Sequence, residues 1–299
     1  MQRIIPNLWC DHDAEEAGAF YASVFPDARS VVTGRYPPGD LPEFQRSFAG
    51  LPVTVDVTIG DFRFTLINAG PEFPINPSIS FLLNFDPVAH GGDAAAEAEL
   101  DRVWAALAEG GTVLMPLSSY PHSAHYGWVQ DRYGMTWQLM LTDPRGEPRP
   151  FLIPSLLFGS DAQNRAAEAI RLYTGLFPDS ATGTTAPYPE AMGPAVAGAL
   201  MFGEFMLAGQ WFAAMDSGSE QAASFTCGVS FEVRCDDQAE IDRLWEALSA
   251  VPEAEQCGWL ADRFGVSWQI VPSNVGELLS RPGAYQRMLG MKKLVISDF

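Results

Sequence analysis

The chain is written twice, and that repetition limits its fold more than any single motif does. Ile5-Pro6-Asn7-Leu8 returns as Ile153-Pro154-Ser155-Leu156. Phe20-Tyr21-Ala22-Ser23-Val24-Phe25-Pro26-Asp27 returns as Leu172-Tyr173-Thr174-Gly175-Leu176-Phe177-Pro178-Asp179. Ile79-Ser80-Phe81 is echoed by Val229-Ser230-Phe231, and Ala98-Glu99-Leu100-Asp101-Arg102-Val103-Trp104 by Ala239-Glu240-Ile241-Asp242-Arg243-Leu244-Trp245. The clearest pair is Gly127-Trp128-Val129-Gln130-Asp131-Arg132-Tyr133-Gly134-Met135-Thr136-Trp137-Gln138-Leu139 and Gly258-Trp259-Leu260-Ala261-Asp262-Arg263-Phe264-Gly265-Val266-Ser267-Trp268-Gln269-Ile270. The matches keep their order along the chain, as a tandem duplication requires.

The seam is Thr142-Asp143-Pro144-Arg145-Gly146-Glu147-Pro148-Arg149-Pro150, rich in proline, glycine and charge as linkers are. It divides the chain into domains at 1–143 and 151–299, the second carrying a C-terminal tail. The copies are unequal: Trp104 to Gly127 spans 23 positions, Trp245 to Gly258 only 13. The stretch missing from copy two includes the strand-like run Thr112-Val113-Leu114-Met115-Pro116-Leu117, which predicts a shorter sheet edge and a reshaped pocket there.

Within copy one, residues 3–10 are short and apolar, as a strand is. Asp13-Ala14-Glu15-Glu16 opens a helix with carboxylates at its positive end, Ala17, Phe20, Tyr21 and Val24 form its apolar stripe, and Pro26 stops it. Residues 29–36, 53–59 and 62–68 read as strands, the last two joined by a Gly60-Asp61 turn. Then come a strand at 78–85, a helix at 94–110 with Leu100, Val103, Trp104 and Leu107 on one face, and strands at 112–117, 127–131 and 136–141. One copy is two βαβββ units, so the chain holds four.

Composition narrows the function. Eighteen Lys and Arg stand against 37 Asp and Glu, a net charge of −19 that repels nucleic-acid phosphates and anionic membrane surfaces. No apolar run approaches the roughly 18 residues of a membrane span, and Met1-Gln2-Arg3-Ile4-Ile5-Pro6 lacks a signal-peptide layout. The four cysteines, Cys10, Cys227, Cys235 and Cys257, form no CxxC pair, which favours reduced thiols and a cytoplasmic setting.

The doubled βαβββ pattern resembles the vicinal oxygen chelate superfamily, which includes glyoxalase I and extradiol dioxygenases. The opening Ile-Pro-Asn-Leu-Trp, the Ala-Glu-Glu-Ala and Val-Phe-Pro-Asp strings, both Gly-Trp-x-x-Asp-Arg-[Tyr/Phe]-Gly-x-[Ser/Thr]-Trp-Gln segments and the ending Met288-Leu289-Gly290-Met291-Lys292-Lys293-Leu294 resemble its PhnB-like branch. That branch often carries the name 3-demethylubiquinone-9 3-methyltransferase. The resemblance implies an α+β fold of tandem domains, each of two βαβββ modules forming a half-open barrel around a pocket. It also implies that the chain supplies within itself the pair that single-copy relatives form as dimers, leaving a further homodimer open. Methyl transfer finds no support: no glycine-rich turn follows a strand to seat an adenosyl donor, and strands and helices do not simply alternate.

Metal-using members of the superfamily carry His, Glu or Gln on inward positions of four strands. Carried over residue by residue, the resemblance puts these positions at Asn7 and Ser155, at Ser80 (or its face-mate Ser78) and Ser230, at Gln138 and Gln269, and at Asn68 and Asp216. Amides and hydroxyls are poor ligands for a first-row metal, and Gln is no base at neutral pH. The expectation is therefore a protein without metal or cofactor, holding a small molecule on these eight residues, with no catalytic residue assigned. The alternative is a metal-dependent enzyme of the superfamily, or an isomerase acting through His122 or His125; a regulatory partner protein is a third reading.

The remaining candidates have structural explanations. His122 and His125 are expected in a solvated loop beside Pro121, and Trp104 and Trp245 in packing. Trp128, Trp137, Trp259 and Trp268 are read as core, with ligand stacking as the alternative. Asp131-Arg132 and Asp262-Arg263 are read as turn-stabilising ion pairs, Cys257 as a buried thiol, and Glu15-Glu16 and Glu99-Asp101 as helix-start charges.

Overall fold

Side chains alternate along a strand, so each strand turns one row toward a helix and the other toward a helix-free inner face. The computed structural model describes residues 2–39, 41–220 and 222–299. In β1 (Ile4–Cys10), Ile4, Leu8 and Cys10 enter the helix-side core, leaving Ile5, Asn7 and Trp9 on the inner face. The first unit continues through α1 (Ala14–Val24), β2 (Ala28–Arg35), β3 (Pro52–Ile59) and β4 (Phe62–Asn68). The second runs β5 (Ile79–Phe85), α2 (Pro87–His90), α3 (Asp93–Ala108), β6 (Thr112–Tyr120), β7 (Ser123–Gln130) and β8 (Thr136–Leu141). The third runs β9 (Leu152–Phe158), α4 (Ala166–Leu176), β10 (Ala181–Pro187), β11 (Leu200–Leu207) and β12 (Gln210–Asp216). The fourth has β13 (Val229–Cys235), α5 (Gln238–Leu248), β14 (Trp259–Ala261) and β15 (Ser267–Pro272), then the tail helices α6 (Val275–Leu279) and α7 (Ala284–Leu289).

These strands form two sheets, ordered β14-β15-β13-β1-β4-β3-β2 and β10-β11-β12-β9-β5-β8-β7-β6. Each sheet joins one unit of each copy: β1 pairs antiparallel with β13, and β5 with β9. The two units of one copy instead meet through their helix sides. There Phe64 of β4 lies 5.1 Å from Phe81 of β5, and Tyr21 of α1 lies 5.4 Å from Trp137 of β8, measured between ring centroids. The half-open sheets are thus exchanged between the copies, so each inner face is a joint product of both. Among the described residues no helix is long and apolar enough to cross a membrane.

The sheet that holds the shortened fourth unit has seven strands where the other has eight. Its edge strand β14 is three residues long, and the tail runs alongside the residues just before it. The amides of Cys257 and Gly258 donate to the carbonyls of Met291 and Lys292 at 2.8 and 2.7 Å, and Leu294 is fully buried against Gly258. The tail satisfies backbone groups that β6 satisfies in copy one.

Candidate functional site

Register assembles the inner faces. On the first sheet Asn7 stands beside Ser230 on one side and Thr65 on the other, and the Gln269 amide donates to Ser230 Oγ at 2.9 Å. On the second, Ser155 stands beside Ser80 and Ala213, and the Gln138 amide donates to Ser80 Oγ at 2.8 Å. Gln138 is held from its other end by the Tyr126 hydroxyl, which donates to Oε1 at 2.7 Å. Each group draws two strands from each copy. Six of the eight residues expected from sequence therefore gather in two matching rows, all of them buried.

The other two do not join them. Asn68 and Asp216 sit on the helix side and start helices: Asn68 Oδ1 accepts from the Ala14 amide, and Asp216 Oδ1 from the Ala166 amide, both at 3.0 Å. Asp216 Oδ2 is also engaged, by the Leu200 amide. The cause is strand parity. Asn68 lies three residues beyond Thr65 and so faces the opposite way, which makes Thr65 and Ala213 the fourth inward positions. Ser78 is buried at the start of β5, where its carbonyl accepts from the Leu157 amide.

Three buried polar atoms on these faces have no hydrogen-bond partner among the described residues: Asn7 Oδ1, Ser155 Oγ and Trp128 Nε1. Trp128 lies on β7 opposite Gln138, and Trp259 on β14 opposite Gln269, so both indoles flank the inner rows. The surroundings differ. Leu82, Ile153 and Ala213 form a small apolar cluster on the second face, with Met140, Phe202 and Trp211 against it. The second face carries one ion pair, Glu204–Arg149 at 3.0 Å, with Glu204 opposite Ala213 as Asp56 is opposite Thr65, and the first carries two, Asp56–Arg63 at 3.2 Å and Glu232–Arg234 at 2.8 Å. Parity places Glu232, two residues after Ser230, on this face; the sequence reading had passed over it.

Trp137 and Trp268 turn the other way, into the core. Trp137 Nε1 donates to Asp131 Oδ2 at 2.7 Å, Tyr21 donates to the same oxygen, and the amides of Tyr133 and Met135 donate to Oδ1. Asp262 has the same four donors in copy two: Trp268, Tyr173, Phe264 and Val266. Burial pushes the Asp131 carboxyl up to about 6, and raises that of Asp262. The expected Asp131-Arg132 ion pair is replaced by this inward carboxylate, while Arg132 lies 4.6 Å over the Phe20 ring. Arg263 likewise turns outward, 3.7 Å from Glu168.

The two histidines are not loop companions. His125 sits within β7, its Nε2 2.7 Å from Asp101 Oδ1 of α3. His122 occupies the hairpin turn, its ring 4.6 Å from that of Tyr126, and burial lowers its pKa. Cys257 is half-buried and burial raises its thiol, which donates to the Met288 carbonyl. A cavity of about 210 Å³ under the linker is lined by Asn84, Met140, His122, Arg149 and Glu204, among others. Asn84 and Met140 belong to the second inner face. A larger hollow of about 470 Å³, lined by Phe25, Ile59 and Phe151 among others, shares Asn84 and Arg149 with that cavity.

The inward positions do not suit a resident metal. They hold two amides and two hydroxyls on one face, an amide, two hydroxyls and a methyl on the other. The nearby carboxylates are occupied: Asp56 by Thr65 and Arg63, and Glu232 by Arg234. Among the described residues no group of three or more His, Cys, Asp or Glu is placed to hold an ion.

The sequence profile described as 3-demethylubiquinone-9 3-methyltransferase matches residues 2–140 and again 150–271. The chain belongs to that family. Among solved structures, the family's PhnB protein from Bacillus cereus is 32% identical over 47% of this chain and 100% of its own, with a TM-score of 0.39. A protein from Pseudomonas aeruginosa is 27% identical over 48% of this chain and 98% of its own, TM-score 0.38. Glyoxalase I from Zea mays is 12% identical but covers 97% of this chain and 94% of its own, with a TM-score of 0.50. That likeness places this member of the 3-demethylubiquinone-9 3-methyltransferase family in the vicinal oxygen chelate fold. No curated protein matches the chain.

Proposed function

We propose that the chain binds small organic molecules on its inner faces without a metal. One observation carries this reading: every hydrogen-bonding side chain at the inward positions is neutral, and two of them, Asn7 and Ser155, keep a buried acceptor or hydroxyl unpaired. A buried polar atom without a partner costs about 1–3 kcal/mol, which a ligand carbonyl, amide or hydroxyl would recover. The family's descriptive name does not enter the reading, because methyl transfer calls for an adenosyl donor on a glycine-rich turn of a doubly wound sheet. The acidic charge speaks against nucleic acid as partner.

A metal-dependent enzyme of the same superfamily is the second reading, and Glu232, opposite Gln269, is the observation in its favour. Its ion pair with Arg234 counts against a free ligand oxygen. Elemental analysis of protein purified without chelator, together with native mass spectrometry, tests the two readings. The expected result is metal far below one equivalent and a co-purifying organic compound. Near one equivalent of a transition metal, with ligand binding lost on chelation, overturns the proposal.

A further inference from the structure

The duplication gives the chain two equivalent corners, at the ends of β5 and β13. Phe151 precedes β9 as Arg3 precedes β1, and their backbone bonds agree. The Asn84 amide donates to the Phe151 carbonyl at 2.7 Å, and the Arg234 amide to the Arg3 carbonyl at 3.2 Å. Asp86 follows β5 as Asp236 follows β13, and Glu99 of α3 is the echo of Glu240 of α5. At the β13 corner Arg3 Nη2 donates to both carboxylates, to Asp236 at 3.2 Å and to Glu240 at 2.6 Å. There the chain answers its own acidic groups with its own cation.

The β5 corner has Phe151 in place of that arginine. Its ring packs on Phe25 and Phe85, with centroids 6.2 and 5.3 Å away, and the hollow of about 470 Å³ opens beside it. Phe25, Ile59 and Phe151 supply apolar wall, and Asp27, Asp86 and Glu99 supply carboxylates. Glu99 has turned to Arg102, at 2.7 and 2.8 Å, whereas Glu240 stands 3.7 Å from the matching Arg243. Asp86 Oδ1 accepts from the Val88 amide, and among the described residues no ion pair engages Asp86 or Asp27. His90 Nδ1 donates to the Asp86 carbonyl at 2.9 Å, so the other nitrogen of the neutral ring is an acceptor. Arg149 also reaches the hollow, but its charge is already met: Nε and Nη2 donate to Glu204 at 3.1 and 3.0 Å, and the guanidinium lies 4.3 Å over Trp211.

Independently of the inner-face reading, we propose that this hollow binds a small organic cation, an amidine, guanidine or amine head on an apolar body. The head takes the place that Arg3 takes at the β13 corner and donates to the carboxylates, which a planar fork of N–H groups matches best. The body covers Phe25, Ile59 and Phe151, and the hollow has the size of a small-molecule site. An anion would meet three carboxylates there, and a neutral molecule would gain the apolar contact alone. The net charge of −19 raises the concentration of cations at the surface.

The test is calorimetric titration of the full chain with benzamidine, a phenyl ring carrying an amidinium, and with benzamide, its neutral counterpart. One equivalent of benzamidine is expected, with benzamide bound at least about tenfold more weakly. Phe151→Arg supplies the internal cation of the other corner and is expected to abolish binding, with a cooperative thermal transition showing that the chain still folds. Asp86→Asn keeps an oxygen at the start of α2 but removes the charge. It and Asp27→Asn are each expected to weaken binding about tenfold, and they decide the matter should Phe151→Arg fail to fold. No binding of benzamidine, equal affinity for benzamide, or binding untouched by both Asp86→Asn and Asp27→Asn overturns the proposal and leaves the inner-face reading standing.

Discussion

The hydroxyl of Tyr21 donates to Asp131 at 2.9 Å, tying the first helix to a turn 110 residues further on. Tyr173 and Asp262 repeat the bond at 2.6 Å in copy two. This explains the shared Asp-Arg-[Tyr/Phe]-Gly-x-[Ser/Thr]-Trp string. The Asp collects two amides of its own turn, the Gly adopts a positive φ (+89° at Gly134) that closes the turn, and the Trp returns an indole N–H. Asp131→Asn puts an NH₂ among four donors. It is expected to destabilise the chain by about 1–3 kcal/mol at neutral pH, read by urea denaturation, with a similar loss for Asp262→Asn. A loss under about 0.5 kcal/mol at both sites contradicts the account.

Burial of that carboxylate sets a pH dependence. Asp131 ionises near 3.8 in the unfolded chain and at about 6 in the folded one. Between those values the folded state keeps a proton that the unfolded state has lost, so stability falls as pH rises. The contribution is complete below the lower value and gone above the upper, a change of about 3 kcal/mol. The advantage of the wild type over Asp131→Asn is therefore expected to be larger at pH 4 than at pH 7.5. A gap that stays constant between those two pH values rules the shift out.

Much of this architecture was legible from the repeat and from strand alternation. Asn7, Ser80 and Gln138 and their echoes were placed by the resemblance, and their register in the sheets brings them together. Asn68 and Asp216 misled because they sit at strand ends, where helix capping competes for any oxygen-bearing side chain. Partner choice was not legible: β1 and β9 are equally apolar on their core rows, and nothing local says that β1 joins β13 and β9 joins β5. The exchange of Glu232 on one face for Leu82 on the other was readable once the register was known.

Gly127 marks a close approach. A Cβ there would stand 2.5 Å from Trp104 Cζ3, so the helix α3 indole lies directly on the β7 backbone. Gly127→Ala is expected to cost about 1–3 kcal/mol by overpacking, and Trp104→Leu in the same chain to recover part of that loss. Strict additivity of the two substitutions in thermal unfolding removes the contact from consideration.

The exchange of units makes the two copies hard to separate. Residues 143–148 are exposed and carry no strand, while β1–β13 and β5–β9 bind the copies along two sheets. A protease site inserted between Gly146 and Glu147 and then cut should leave both fragments together in size-exclusion chromatography. They should part only in denaturant, in a single cooperative transition with a midpoint below that of the intact chain, since the cut removes the tether that limits the entropy of association. Fragments that elute separately under native conditions, each folded, mean that each copy completes its own sheet and that the joint inner faces described above do not form.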